Sequence, residues 1–138
     1  MKIKKLTPDA TIPTKSHPGD LGFDLYASAD ASLRPDEVTV VPCGISIQFP
    51  YMFGAVIKDR SSMALKGIIT CGGVIDNGYR GPIGVMMRTI MRHNVFIEKG
   101  QKIAQLILVR ASDFEKIEEV DELDVTVRGS HGFGSTGV

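Results

Sequence analysis

Apolar and polar residues alternate in short runs along most of this chain, and glycine, proline, aspartate or asparagine closes each run. Residues 37–41 and 44–49 are β-branched and bounded by Pro35, Pro42 and Pro50; residues 53–58, 67–71, 83–88, 95–97 and 103–109 repeat the pattern. Successive side chains of a strand face opposite sides, so these runs predict short strands. The spacing of the turn signals predicts one all-β domain, a sandwich, barrel or jelly roll. Only residues 61–66 read as a helical turn, and an amphipathic helix is an alternative for the acidic connector at 113–124. The run at 103–109 is apolar on both faces apart from Gln105. It needs cover on both, and a subunit interface would supply one of them while protecting sheet edges.

Composition narrows the function. The 138 residues fit one domain, and the 15 glycines and 7 prolines suit tight turns rather than long helices. The net charge of zero leaves no basic field to grip a nucleic-acid polymer. No apolar run approaches the roughly 20 residues of a membrane helix. The lysines near the N-terminus precede no apolar segment, so no signal peptide is expected. Cys43 and Cys71 read as buried thiols, which fits a cytoplasmic location, the host cytoplasm for a viral source.

Candidate chemistry gathers in five places. The tail RGSHGFGSTG at 128–137 joins Arg128, a fork for phosphate, to glycines whose backbone can form an anion nest. Ser135 and Thr136 add hydroxyls, and Phe133 suits the face of a base. A plain Gly-rich terminus is the other reading of such a tail. DLGFDLYA at 20–27 reads as a tight turn in which Asp24 either organises a site or bonds its own backbone. Arg60, Ser61 and Ser62 at a helix start suggest either a phosphate cradle or an ordinary cap. In residues 72–81, Asn77-Gly78 signals a hairpin; Asp76 either orients a water as a general base or caps the turn, and Tyr79 offers a ring to a sugar. Residues 100–106 turn into a strand carrying Gln105, an interior amide that needs partners.

Taken in order, DLGFDLYA, DRSSMA at 59–64, GVIDNGYRG at 73–81, GQKIAQLI at 100–107 and RGSHGFGSTG resemble the five motifs of the trimeric dUTP diphosphatase (dUTPase) family. The resemblance spans residues 20 to 137 and implies hydrolysis of an acid anhydride, dUTP to dUMP and pyrophosphate. It implies a distorted jelly-roll β-barrel at 1–127 and a mobile arm at 128–138 that closes a neighbour's site in a homotrimer. By the same carry-over, Asp76 positions the attacking water, and Tyr79 packs under the deoxyribose. Backbone at Thr70, Gly73, Val74 and Ile75 reads uracil. Arg60, Ser61, Ser62 and Gln105 contact phosphates. Arg128, Ser135 and Thr136 hold the γ end, Phe133 covers the base, and Gly134 lies among these arm contacts. Mg2+ is held mainly through phosphates and water, near Asp24 and Gln105. Its implied role in the cell is to limit uracil in DNA and to supply dUMP for dTMP synthesis.

Three positions depart from the family pattern: His131 in the tail, Gly78 before the tyrosine and Pro82 after Arg80-Gly81. None removes a proposed catalytic group. The related dCTP deaminases need a glutamate near the base, and residues 60–81 contain none. A regulatory protein partner on the trimer surface is a further alternative, additional to catalysis, with no sequence feature in its favour.

Overall fold

The chain, examined as a computed structural model, is described for residues 1–112 and 117–130. Eleven strands and one helical turn follow in the order β1 (Lys2–Lys5), β2 (Gly22–Tyr26), β3 (Ala31–Leu33), β4 (Thr39–Pro42), β5 (Ile45–Gln48), β6 (Phe53–Lys58), α1 (Ser61–Ala64), β7 (Ile68–Thr70), β8 (Val74–Ile75), β9 (Gly84–Thr89), β10 (Val95–Ile97) and β11 (Lys102–Arg110). Every strand pairing is antiparallel. A four-stranded sheet runs β2-β11-β6-β8 and a three-stranded one β4-β9-β7; β1-β5 and β3-β10 are two-stranded. The all-β expectation holds, and no described helix is long and apolar enough to cross a membrane.

Alternation builds the core. Leu25, Leu33, Val41, Ile45, Ile47, Ile68, Val85, Met87, Ile97, Ile103 and Leu106 are all fully buried. Burying one such side chain is worth about 1.5–3 kcal/mol. Consecutive Ile103 and Ala104 are both buried because the ladder between β11 and β2 shifts register between Lys102 and Ala104. Beyond that bulge, Gln105 lies opposite Asp24 on β2 and opposite Lys58 on β6. Directly opposed residues share a face, so a row of polar groups crosses the sheet on the side away from Ala104 and Leu106. The apolar run at 103–109 is covered mostly within its own chain: Ile107 and Leu108 are half-buried and Val109 is exposed.

Two expectations about local structure need correction. Residues 20–27 do not form the tight turn; Gly22–Tyr26 is strand β2. The turn sits earlier, where Asp20 N–H donates to the His17 carbonyl at 3.2 Å and Gly19 takes a φ of 93°. Pairing with β11 outweighs the turn preference of Asp and Gly, and Gly22 is needed for space, since a Cβ there would lie 2.5 Å from Gln105 Oε1. Asn77-Gly78 does form a turn, closed by Tyr79 N–H to the Asp76 carbonyl at 3.1 Å, but it joins no hairpin ladder. β8 before it pairs with β6, whereas β9 after it pairs with β4 and β7. In the connector, the described residues 117–124 carry no helix, and residues 113–116 lie outside the described chain.

Candidate active site

Two cavities hold most of the described motif residues, and a third, of about 170 Å³, shares Val74, Ile75 and Asp76 with one of them. The first, of about 470 Å³, is lined by Asp24, Arg60, Ser61, Ser62 and Gln105 together with Ser16, His17, Asp20, Leu21 and Gly22. Arg60 stands at the N-cap of α1 in extended conformation with no side-chain cap. One helical turn carries little macrodipole, so what α1 offers is side chains. The Arg60 guanidinium turns back onto the sheet, where Nε donates to Asp24 Oδ1 at 2.9 Å and Nη1 to Ser62 Oγ at 3.2 Å. Lys102 Nζ meets Asp24 Oδ2 at 2.6 Å, and Ser16 Oγ donates to the same oxygen at 3.4 Å. Burial alone would raise the Asp24 pKa. The Lys102 hydrogen bond and the charges of Arg60 and Lys102 outweigh that and hold the carboxyl below its usual range. In return, the Asp24 hydrogen bond raises the Lys102 pKa against its partial desolvation.

Gln105 satisfies its amide by donating Nε2–H to the Asp59 carbonyl at 2.7 Å, and it still lines the cavity. Asp59 binds the other way with its side chain: Oδ1 accepts from Thr70 N–H at 2.6 Å and from Thr70 Oγ1 at 2.7 Å. Asp59 thereby ties the loop before α1 to β7. Thr70 lines neither cavity, and its N–H is committed to Asp59.

The second cavity, of about 180 Å³, is lined by Gly73, Val74, Ile75, Asp76 and Tyr79 with Ile57, Pro82, Ile83, Gly84 and Met86. Here the chain crosses from the three-stranded to the four-stranded sheet through Gly72 and Gly73, at φ 65° and 99°. A Cβ on Gly73 would come within 2.9 Å of Ile57 Cβ, while its carbonyl accepts from Ile57 N–H at 2.8 Å. Asn77 pins the turn beyond by donating Nδ2–H to the carbonyls of Pro50 at 2.7 Å and Phe53 at 2.6 Å. Tyr79 OH donates to the Pro82 carbonyl at 3.0 Å. Gly81 leaves room for the ring, since a Cβ there would lie 2.4 Å from the hydroxyl oxygen. Asp76 is exposed at this cavity's edge.

The structure therefore groups Arg60, Ser61, Ser62, Gln105 and Asp24 in one cavity and Gly73, Val74, Ile75, Asp76 and Tyr79 in another, with no lining residue in common. Arg128 lies in an exposed turn where Gly129 N–H donates to the Thr126 carbonyl at 3.1 Å. His131, Phe133, Gly134, Ser135 and Thr136 lie outside the described residues. Sequence reasoning missed Lys102, Ser16, His17, Asp20 and the structural roles of Asp59 and Asn77. A signal existed for Lys102, three residues before Gln105 at the start of the same strand. His17 and Asp20, the latter the first residue of the first motif, bracket a proline-glycine turn.

Comparison with known proteins bears on this arrangement. The family model described as dUTPase matches residues 8–137. The deoxyuridine 5'-triphosphate nucleotidohydrolase of Clostridioides difficile is 41% identical over 140 residues, covering 99% of this chain and 97% of its own. That of Vaccinia virus (strain Copenhagen) is 41% identical over 138 residues, covering 100% of this chain and 93% of its own. Among solved structures, the Staphylococcus bacteriophage 80alpha dUTPase with dUPNHPP superposes with a TM-score of 0.86 at 26% identity, covering 99% of this chain and 98% of its own. A dUTPase from phage phi11 of S. aureus, described for coordination of a structural Mg(II) ion, shares the fold at TM-score 0.78 and 22% identity, covering 88% of this chain and 96% of its own.

Proposed function

This chain belongs to the dUTPase family and is a hydrolase of the dUTP diphosphatase kind, and from that premise we propose that it cleaves dUTP at sites that two copies of a homotrimer build and the arm of a third closes. The observation that carries this reading is the division of the motif residues between two cavities. The smaller, at about 180 Å³, falls below the roughly 300–1,000 Å³ of ordinary ligand pockets, so it holds only part of a nucleotide. On this reading the phosphate-binding residues of one copy lie beside the Asp76–Tyr79 turn of another. Exposed apolar residues favour such an assembly: Val40 and Met86 are paired neighbours on β4 and β9, and both are exposed. Arg88 Nε on β9 is buried without an acceptor among the described residues. Ile117, Leu123, Val125 and Val127 are almost wholly exposed on the segment leading to the arm, which favours its packing on a second copy. The fold then corresponds to a distorted jelly-roll barrel at 1–127 with an arm from 128.

The Asp76 carboxylate orients a water and accepts its proton. The water oxygen bonds to the α-phosphorus while the bond from that phosphorus to the α,β-bridging oxygen breaks, and pyrophosphate leaves. Arg60, Ser61, Ser62 and Gln105 hold the phosphates, and Arg128, Ser135 and Thr136 of the arm hold their γ end. Backbone at Thr70, Gly73, Val74 and Ile75 fits the uracil edge, Tyr79 excludes a 2′-hydroxyl, and Phe133 with Gly134 covers the base. Thr70 takes part through its carbonyl, because its N–H is engaged. A cytosine would leave a buried backbone group unpaired, and a thymine methyl would be excluded by volume.

The residues fit a magnesium ion carried by the substrate. No cluster of three or more His, Cys, Asp or Glu occurs among the described residues, and both Asp24 oxygens are already engaged by Arg60, Lys102 and Ser16. Asp24 and Gln105 would touch the ion's water ligands, as suits an ion that keeps several waters. When bound, the ion neutralises phosphate charge. Cys43 and Cys71 carry free thiols, Cys43 buried as expected but Cys71 only half-buried, and free thiols favour a cytoplasmic setting. There, dUTP hydrolysis would limit uracil in DNA and supply dUMP for dTMP synthesis.

The test is pyrophosphate release from dUTP, dCTP, dTTP and UTP, with and without magnesium. We expect dUTP alone to turn over rapidly, and only with the metal. Ammonia release from dCTP would move the chain to the deaminase branch.

A further inference from the structure

The loop at 14–20, which runs into the first family motif at Asp20, contributes Ser16, His17 and Asp20 to the lining of the phosphate cavity and is anchored at several points. Asp24 N–H donates to the Thr14 carbonyl at 2.7 Å, and Thr14 Oγ1 lies 2.6 Å from Tyr26 OH. Ser16 Oγ accepts from Lys102 Nζ at 3.3 Å and contacts Asp24. The next residues turn back on themselves: His17 N–H donates to Asp20 Oδ2 at 2.8 Å, and His17 Nδ1 lies 3.7 Å from the same oxygen. The backbone bond holds the turn, and the imidazole lies at the cavity wall with Nδ1 toward Asp20 and its side chain 81% exposed. Its Nε2, on the opposite edge of the ring, is the nitrogen available to a ligand.

Charge says what that ligand edge is for. The cavity lining has one arginine, Arg60, against two carboxylates, Asp20 and Asp24. Asp24 is neutralised twice, by Arg60 and Lys102. Among the described residues, Asp20 has only the His17 contact. A polyphosphate entering the cavity would meet Asp20 as an uncompensated like charge unless His17 stands between them. Only the imidazolium donates from both ring nitrogens, and in that form Nδ1 can face the Asp20 carboxylate while Nε2 donates to an anion.

We propose that His17 is a phosphate-binding residue of this enzyme, donating from Nε2 to the polyphosphate of the substrate, with Asp20 as the positioning residue that holds the turn through the His17 backbone N–H. The proposal rests on the reading of this cavity as the phosphate site. It explains why the loop leading into the first motif is tied to Asp24, Lys102 and Tyr26. The strap holds His17 in the lining of the same cavity as Arg60 and Gln105.

The probe is inorganic pyrophosphate with magnesium, titrated by calorimetry against the assembled wild-type protein, His17→Ala and His17→Gln. A hydrogen bond to a charged group at so exposed a position is worth about a five- to tenfold change in affinity. His17→Ala should weaken pyrophosphate by that factor and raise KM for dUTP similarly, with kcat within about twofold, as expected for uniform binding. His17→Gln, which keeps a side-chain donor, should recover at least half of the loss on a logarithmic scale. Melting temperature and assembly size should match wild type in both. Unchanged pyrophosphate affinity in His17→Ala overturns the proposal, and so does an equal loss in Ala and Gln, which would make the turn rather than the donor responsible. If wild type binds pyrophosphate but fails to hydrolyse dUTP, the functional reading falls while the His17 comparison still decides this one.

Discussion

Gly81→Ala offers a way to move Tyr79 without touching it. Gly81 does not lie in the left-handed region, so an alanine there strains no backbone. The strain is all in the side chain. Its Cβ would lie 2.4 Å from the Tyr79 hydroxyl oxygen, 2.6 Å from Cζ and 3.0 Å from Cε2. The ring tip must shift and surrender its hydrogen bond to the Pro82 carbonyl. That bond is worth about 0.5–1.5 kcal/mol net, and replacing glycine by alanine returns about 0.4–1 kcal/mol through the unfolded chain. Stability should therefore change by less than about 1 kcal/mol, a melting shift of roughly 2–4 °C or less for a chain of this size. Specificity should change more. Rejecting one extra group sterically is worth about 1–3 kcal/mol, so displacing the ring should cut the dUTP-to-UTP ratio of kcat/KM by about tenfold or more. The assay is that ratio in wild type, Gly81→Ala, Tyr79→Ala and the double variant. With the ring gone, Gly81→Ala has nothing to push, so the double variant should match Tyr79→Ala. A ratio that falls for Tyr79→Ala and stays at the wild-type value for Gly81→Ala would refute this reasoning. So would an equal effect of Gly81→Ala in both backgrounds.

Other predictions follow from the same geometry. Asp76→Asn should retain the fold and nucleotide binding yet lose about 10²–10⁴-fold in turnover; single-turnover pyrophosphate release measures it, and a loss of only a few-fold would move the base elsewhere. Because Asp24 is held below its ordinary pKa, its ion pairs add stability that is fully present above the unfolded value of about 3.9 and lost as pH falls through the lower folded value. Lys102→Met removes the largest of the lowering contributions, so the acid-unfolding midpoint followed by circular dichroism should move to higher pH; an unmoved midpoint contradicts that. Deleting residues 128–138 should leave assembly size unchanged and sharply reduce turnover, because closure positions phosphates and excludes water. Sedimentation and steady-state rates check the two halves of that claim.

What the sequence revealed, and what it concealed, has physical reasons. β5, β6, β7, β9, β10 and β11 were legible because each alternates β-branched or apolar residues between strong turn signals. β2 was not, because Gly22 and Asp24 carry turn chemistry in isolation; their strand conformation depends on partners 85 and 81 residues away on β11. β8 was hidden by its two-residue length, and its pairing with β6 rather than β9 is decided by Gly72 and Gly73 turning the chain between sheets. The candidate site was legible as motifs, and the geometry adds its division. No spacing rule puts Arg60 beside Asp24, 36 residues apart, or says that Asp59 will consume the N–H of Thr70. Side chains such as Lys102 and Ser16, which act on Asp24 rather than on a ligand, become visible only once the strands are in register.

Subunit mixing tests most directly whether dUTP is hydrolysed at a site shared between copies. Arg60→Ala removes the phosphate contact from one cavity, and Asp76→Asn removes the base from the other. Each variant alone should be nearly inactive. Unfolded together in equal amounts and refolded, they should form mixed assemblies in which one copy supplies an intact Arg60 and its neighbour an intact Asp76. Random assortment leaves about a quarter of the sites complete, so pyrophosphate release from dUTP should recover to roughly that fraction of wild type. No recovery in assemblies confirmed as mixed by mass would place both groups in one chain's site and contradict the account.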